Sequence, residues 1–234
     1  MQLEIDSFSV AHGRENEDCV ANIAIKSGHI LVVADGVGSS EFSREASRIA
    51  VDTSLKTLNQ EGIDGMPTAF EDARKALTVR AHEVGAKSMS TTLTICWVSA
   101  YSVVFGHVGD TRIYHLRGSG LQTRTTDQTE IVHLVAQGVL SRERAKKYPR
   151  KNVLLSAVSS SSQYQLQLGQ FAIEERDRIL LLTDGLHKQI SKRAIVEMSV
   201  RSSPVSAFLD ELRRAVEEKG IVDDASAICA EIIA

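Results

Sequence analysis

The run His29-Ile30-Leu31-Val32-Val33-Ala34, closed by Asp35-Gly36, decides how this chain folds. A continuous apolar run rich in β-branched residues predicts a strand buried on both faces, so structure must be layered on either side of it. Outward from it, residues 3–11 and 19–26 alternate as strands with one buried face. Strand character returns over 91–100, 103–108, 112–116, 152–158, 163–172, 178–183 and 225–233, with Gly118-Ser119-Gly120 as a turn.

Helices fall between these strands. Ser39 and Ser40 offer N-cap hydroxyls ahead of a stripe of Ala46, Ile49, Ala50 and Thr53. Residues 62–67 break the pattern, and 68–84 form a second helix with Phe70, Ala73, Ala76 and Leu77 on one face. Two short helical pieces follow at 129–137 and 141–147. The last helix is capped by Ser203, carries Pro204 in its first turn, and shows Val205, Phe208, Leu209, Leu212, Ala215 and Val216 on one face, with Gly220 closing it. Helices grouped against mostly antiparallel strands give an α+β layered sandwich rather than βαβ alternation. No internal repeat or long polar linker divides the chain, so residues 1–234 are expected to form one domain.

The composition is that of an ordinary soluble globular protein, 43% hydrophobic and 24% charged. A net charge of -3 provides no general attraction for nucleic acid or anionic lipid. One basic run interrupts it, with Arg142, Arg144, Lys146, Lys147, Arg150 and Lys151, read as a solvated helix face or a docking surface for a charged partner. Cys19, Cys96 and Cys229 are too few and too apolar in setting for a disulfide framework. With no secretory signal and no membrane-length apolar run, the expected location is cytoplasmic.

Acidic residues recur at strand ends. Ile30–Ala34 leads into Asp35-Gly36, residues 103–108 into Gly109-Asp110, and 179–183 into Asp184-Gly185; Glu17-Asp18 and Asp223-Asp224 add two more pairs. Asp-Gly alone is a common turn dipeptide. Such acidic elements would repel one another if gathered without cations, and oxygen ligands are what Mg²⁺ and Mn²⁺ prefer. Spacing leaves a structural turn and a metal site side by side. Other chemistries lack their residues: there is no phosphate loop, no arginine six residues after a cysteine and no zinc-type histidine spacing. His107, two residues before Gly109, could lie near a site, but is read first as a satisfied strand histidine.

Taken in order, these motifs resemble the metal-dependent protein phosphatase family, the protein phosphatase 2C-like enzymes, in its compact bacterial serine/threonine phosphatase form. The resemblance is carried by Arg14 with Asn16-Glu17-Asp18, Asp35-Gly36-Val37-Gly38, Ser90-Thr91-Thr92, Gly109-Asp110-Thr111-Arg112, Thr126-Asp127-Gln128-Thr129, Thr183-Asp184-Gly185-Leu186 and Asp223-Asp224-Ala225-Ser226. It covers nearly the whole chain. Four positions depart from the pattern: Glu15 alone separates Arg14 from Asn16, Val37 follows Asp-Gly where some relatives have histidine, Gln128 replaces a histidine and Asp224 an asparagine.

The resemblance implies a four-layer α-β-β-α sandwich of two antiparallel sheets flanked by helices, with residues 129–162 as a flap beside the active site. It implies two Mn²⁺ or Mg²⁺ ions and a possible third. Asp35 would bridge the two, Asp184 and Asp223 would complete one ion's protein ligands, and Glu17 with the Gly36 carbonyl would complete the other's. Asp110 with Asp184 would hold the third, and Asp18 would support from behind. Catalysis would rest on Asp35, Asp184 and Arg14, the last gripping the substrate phosphate. The implied reaction is direct in-line attack on phosphoserine or phosphothreonine by hydroxide held between the ions. The implied partner is a phosphorylated protein set against a serine/threonine kinase, acted on by a monomer. A catalytically silent phosphoprotein-binding relative and a small-molecule phosphohydrolase are the alternatives.

Overall fold

The computed structural model describes residues 2–26, 28–38 and 42–233. Ser39 and Ser40, read as cap hydroxyls, lie outside them. The strand predicted from residues 29–34 is β3 (Gly28–Asp35), and Ile30 to Ala34 within it are fully buried. It is flanked by β2 (Asp18–Ile25) and β5 (Leu93–Val98); beyond β5 come β6 (Ser102–Val108) and β10 (Gln167–Ala172), giving the sheet order β10-β6-β5-β3-β2. A second five-stranded sheet runs β1 (Gln2–Val10), β12 (Ala225–Ile233), β11 (Arg178–Leu182), β7 (Arg112–Arg117) and β8 (Gly120–Thr123). Every pairing in both sheets is antiparallel.

Three separate cores show the layering. Leu31, Val33, Ile113, Leu181 and Ile228 fill the space between the sheets. The opposite faces of β3 and β5 pack Ile30, Val32 and Ile95 against α1 (Ser43–Glu61) and α2 (Met66–Val84). Leu180, Leu182 and Cys229 on the other sheet meet Phe208, Leu209 and Leu212 of α7 (Val205–Lys219). Strands buried on both faces read as continuous apolar runs for this reason. The α+β four-layer expectation holds.

Several elements differ from the sequence reading. The strand expected over 91–100 is broken at Thr92 into β4 (Ser90–Thr91) and β5, because Thr92 turns its hydroxyl to the β3 backbone. The strand expected over 152–158 reduces to β9 (Val158–Ser159), paired with β4. Between α3 (Glu130–Ala136), α4 (Arg142–Ala145) and β9 the chain is irregular, so alternation there reflects lining a surface rather than joining a sheet. Ser203 does not cap α7; Pro204 occupies the N-cap position, with no side-chain cap. Two helices had no counterpart in the sequence reading, α5 (Asp184–His187) and α6 (Lys192–Arg201). The Ser191 hydroxyl caps α6 by accepting from the Ala194 N–H. Buried Arg178 ties the far end of α6 to the sheet by donating to the carbonyls of Ser199 and Ser202.

Candidate active site

Asp35 ends β3 with its backbone fully held. Its N–H donates to Thr92 Oγ1 at 2.8 Å, and its carbonyl accepts from the Thr92 N–H and the Thr91 hydroxyl, both at 2.8 Å. The carboxylate itself makes no hydrogen bond to a described residue, so a fixed main chain aims an unspent side chain. Asp18 stands opposite Asp35 in the β2–β3 register. Its Oδ2 accepts from the Thr183 hydroxyl at 2.8 Å, while its buried Oδ1 has no partner among the described residues. One threonine at the end of β11 thus steadies a carboxylate of the facing sheet.

Two glycines permit the close approaches this needs. Gly109 has φ +115°, and a Cβ there would lie 2.6 Å from the Thr92 side chain. A Cβ on Gly185 would lie 2.1 Å from the Asp224 carbonyl oxygen, so the start of α5 and the start of β12 meet backbone to backbone. Asp184 opens α5, and its carboxylate accepts from Lys188 Nζ. His187 Nε2 donates to the Asp110 carbonyl at 3.0 Å.

Two of the four departures from the family pattern, Asp224 and Gln128, have local reasons. Asp224 accepts from the His12 N–H at 2.7 Å with one oxygen and from the Glu17 N–H at 2.6 Å with the other. An asparagine offers only one acceptor, so a carboxylate is what lets a single residue pin both ends of loop 12–17. Gln128 accepts from the Gly109 N–H at 2.9 Å and donates to the Gln165 carbonyl at 2.8 Å, locking the Gly109-Asp110 turn to the returning chain.

Glu17, Asp35, Asp110, Asp184 and Asp223 surround one cleft of about 240 Å³, together with Gly36, Thr92, Asn152 and Leu154. Burial raises the Asp35 carboxyl well above the usual carboxylate range, and Asp18, Asp184, Asp110 and Asp223 push it further. Burial, then Asp184, lifts Asp110 to about 7, and burial lifts Asp18 to about 7 despite the Ser226 and Thr183 hydroxyls. Glu17 and Asp223 are raised for the same reasons, burial first and neighbouring carboxylates second. Among the described residues no group of three or more such side chains closes on one point as a finished cage; like charges line the cleft and repel. An acidic cleft in which the Asp35 carboxylate is unspent, with an orphaned Asp18 oxygen behind it, fits hard divalent cations.

The structure therefore brings together the sequence-chosen Glu17, Asp35, Gly36, Asp110, Asp184 and Asp223, with Asp18 directly behind. Arg14 lies exposed on the loop between β1 and β2, outside the cleft lining, and carries no ion pair to a described residue. Thr183 and Lys188 act on the site without having been singled out individually; their i−1 and i+4 positions around Asp184 were the available signal. His107 is buried as expected and held neutral, its pKa pushed down to about 4 by burial. Its Nδ1 bonds the Thr94 hydroxyl, and its Nε2 has no hydrogen-bond partner among the described residues.

Known proteins resemble this chain in sequence and in fold. Protein phosphatase PhpP of Streptococcus pneumoniae is 26% identical over 222 residues, 89% of this chain and 88% of its own. The serine/threonine phosphatase Stp1 from Staphylococcus aureus superposes with a TM-score of 0.91 at 24% identity, covering 100% of this chain and 96% of that one. The catalytic domain of the serine/threonine protein phosphatase PstP, solved with two manganese ions, gives a TM-score of 0.84 at 24% identity, over 99% of each chain. At these identities the two solved structures show the fold. The model of the family described as Protein phosphatase 2C matches residues 8–227, a span containing every acidic residue of the cleft, and the chain belongs to that family.

Proposed function

We propose that this protein is a divalent-cation-dependent phosphatase that removes phosphate from serine and threonine side chains of other proteins. The observation that carries this reading is the ring of Glu17, Asp35, Asp110, Asp184 and Asp223 around one open polar cleft. Asp35 would be shared by two ions, Mn²⁺ or Mg²⁺. Asp184 and Asp223 would complete the protein ligands of one ion, Glu17 and the Gly36 carbonyl those of the other. Asp110 with Asp184 would hold a third. Ions bound there supply a water acidified to near neutrality and positive charge for the phosphoryl oxygens.

The chain's own residues do the positioning. Thr91 and Thr92 fix the Asp35 backbone, and Thr183 orients Asp18. Asp224 holds the loop that carries Arg14, whose exposed guanidinium can fork onto two phosphate oxygens and offset their charge. The exposed cations Arg142, Arg144, Lys147 and Lys151 have no ion-pair partner among the described residues, which suits docking of an acidic phosphoprotein segment. We read residues 1–234 as one catalytic domain with 129–162 as its flap, acting as a cytoplasmic monomer against a serine/threonine kinase. The unpaired Cys19, Cys96 and Cys229 accord with a reducing compartment. No described helix is long and apolar enough to cross a membrane, and net charge gives no reason to expect nucleic acid. The names of PhpP and Stp1 and the manganese in PstP support the same reading.

Hydrolysis of a phosphothreonine peptide is the test, run with Mn²⁺, with EDTA, and with Asp35→Asn and Asp184→Asn. Chelation and either substitution are expected to lower turnover by about a thousandfold or more. Wild-type turnover no higher than that of the variants would overturn the reading. Preference for a phosphorylated metabolite over the peptide would redirect it to small molecules.

A further inference from the structure

The charged groups that bear most on Asp35 and Glu17 are other carboxylates. Asp184 is placed differently. Four residues later, one helical turn along, Lys188 donates its ammonium to Asp184 Oδ2, and the same charge faces Asp110 and Asp223. The turn itself is closed by the Lys188 N–H donating to the Asp184 carbonyl at 3.0 Å, so the ammonium is delivered by helix geometry rather than by a loose loop. About two thirds of the Lys188 side chain is covered, its exposure being 36%. The neighbouring Arg112 is not available for this duty, because its guanidinium is forked onto Asp127 at 2.9 and 2.6 Å.

An ammonium and a divalent ion want the same carboxylate oxygens, and the ammonium here is covalently tethered. We propose that Lys188 is a built-in cation of the cleft, taking the side of Asp184 and Asp110 where a third divalent ion would otherwise sit, so that the chain loads two ions and carries the next positive charge itself. This rests on the metal-dependent reading above. It makes positive charge on that side of the cleft independent of metal concentration. It also makes Lys188 a positioning residue, acting through Asp184.

Counting Mn²⁺ bound per chain, without substrate, tests it: equilibrium dialysis of wild type, Lys188→Gln and Lys188→Asp, with free Mn²⁺ read by electron paramagnetic resonance. Two ions are expected in wild type and a third in Lys188→Asp. In Lys188→Gln the ion at Asp184 should bind about tenfold more tightly or better, because a nearby like charge is gone. Three ions in wild type, or the same count and affinity in all three chains, would overturn the proposal and leave the phosphatase reading standing. No bound ion in any chain would overturn both. Melting curves of the metal-free variants check folding, and the near-isosteric Lys188→Gln decides the matter if Lys188→Asp does not fold.

Discussion

Asp35 and Asp177 are buried carboxylates of the same chain with opposite fates. Asp177 precedes β11 at the end remote from the cleft and is fully buried. Its oxygens accept from Arg117 Nε and Nη2 at 2.8 and 2.7 Å, from His115 Nε2 at 2.7 Å and from the Glu174 N–H at 2.9 Å. On its other nitrogen, Nδ1, His115 accepts a hydrogen bond from Arg124 Nη2 at 2.6 Å, which leaves Nε2 as the donor to Asp177. Burial pushes the Asp177 carboxyl up, but Arg117 first, then the Glu174 N–H and His115, hold it below the ordinary range. Asp35 receives burial and four acidic neighbours with no such donors, and stands well above it. A carboxylate kept for structure is saturated by its own chain; a carboxylate kept for a ligand is aimed and left unsaturated.

Exchanging the two roles gives the largest effect. Asp35→Asn should remove about a thousandfold of activity while leaving the melting temperature of the EDTA-treated chain unchanged or higher, since a repelled charge is deleted. A lowered melting temperature in EDTA would break the comparison. Asp177→Asn should do the reverse, lowering stability by about 2 kcal/mol in denaturant titration with turnover per folded molecule unchanged. Lost turnover with intact stability would show that the remote carboxylate serves the chemistry.

The smallest effect sharpens the comparison through pH. Asp18 and Asp110 stand at about 7. Without divalent ions, a carboxyl raised on folding contributes stability that is fully present below about pH 4 and is lost as pH rises through about 7. His107 and His187, pushed down to about 4 mainly by burial, act in the opposite sense: their contribution is present above about pH 6.5 and is lost in acid. The contribution of His107 cancels when melting temperatures with Mn²⁺ and with EDTA are subtracted at each pH, while that of His187, bonded to the Asp110 carbonyl, stays in the difference. That difference should be small at pH 5.5, where the carboxyls keep their protons, and several degrees larger at pH 8. Equal differences at both would mean the raised carboxyls do not compete with the ion.

The layers were legible because burial on both faces writes itself as uninterrupted apolar residues, as in Ile30 to Ala34, and the last strand was read to its observed limits at Ala225–Ile233. The acidic ring was legible because each member ends or adjoins an apolar strand. What stayed hidden was long-range or local to short elements. Asp224 serves His12 across 212 residues, and nothing in its neighbours announces that. α6 buries only Ile195, too little for a strong stripe, and depends on Arg178 from a distant strand. The residues before β9 alternate like a strand yet border the cleft, because Leu154 faces the site and Leu155 is half exposed.

The contact at Gly185 reaches beyond packing. Main chain meets main chain there, so the interval between Asp184 and Asp223 is a dimension of the frame rather than of the side chains mounted on it. A frame whose gauge is set by backbone leaves the fittings interchangeable. Replacing Asp223 by histidine or glutamate would vary ion preference at constant spacing, which makes this pair of positions a natural starting point for designing variants that select one metal over another.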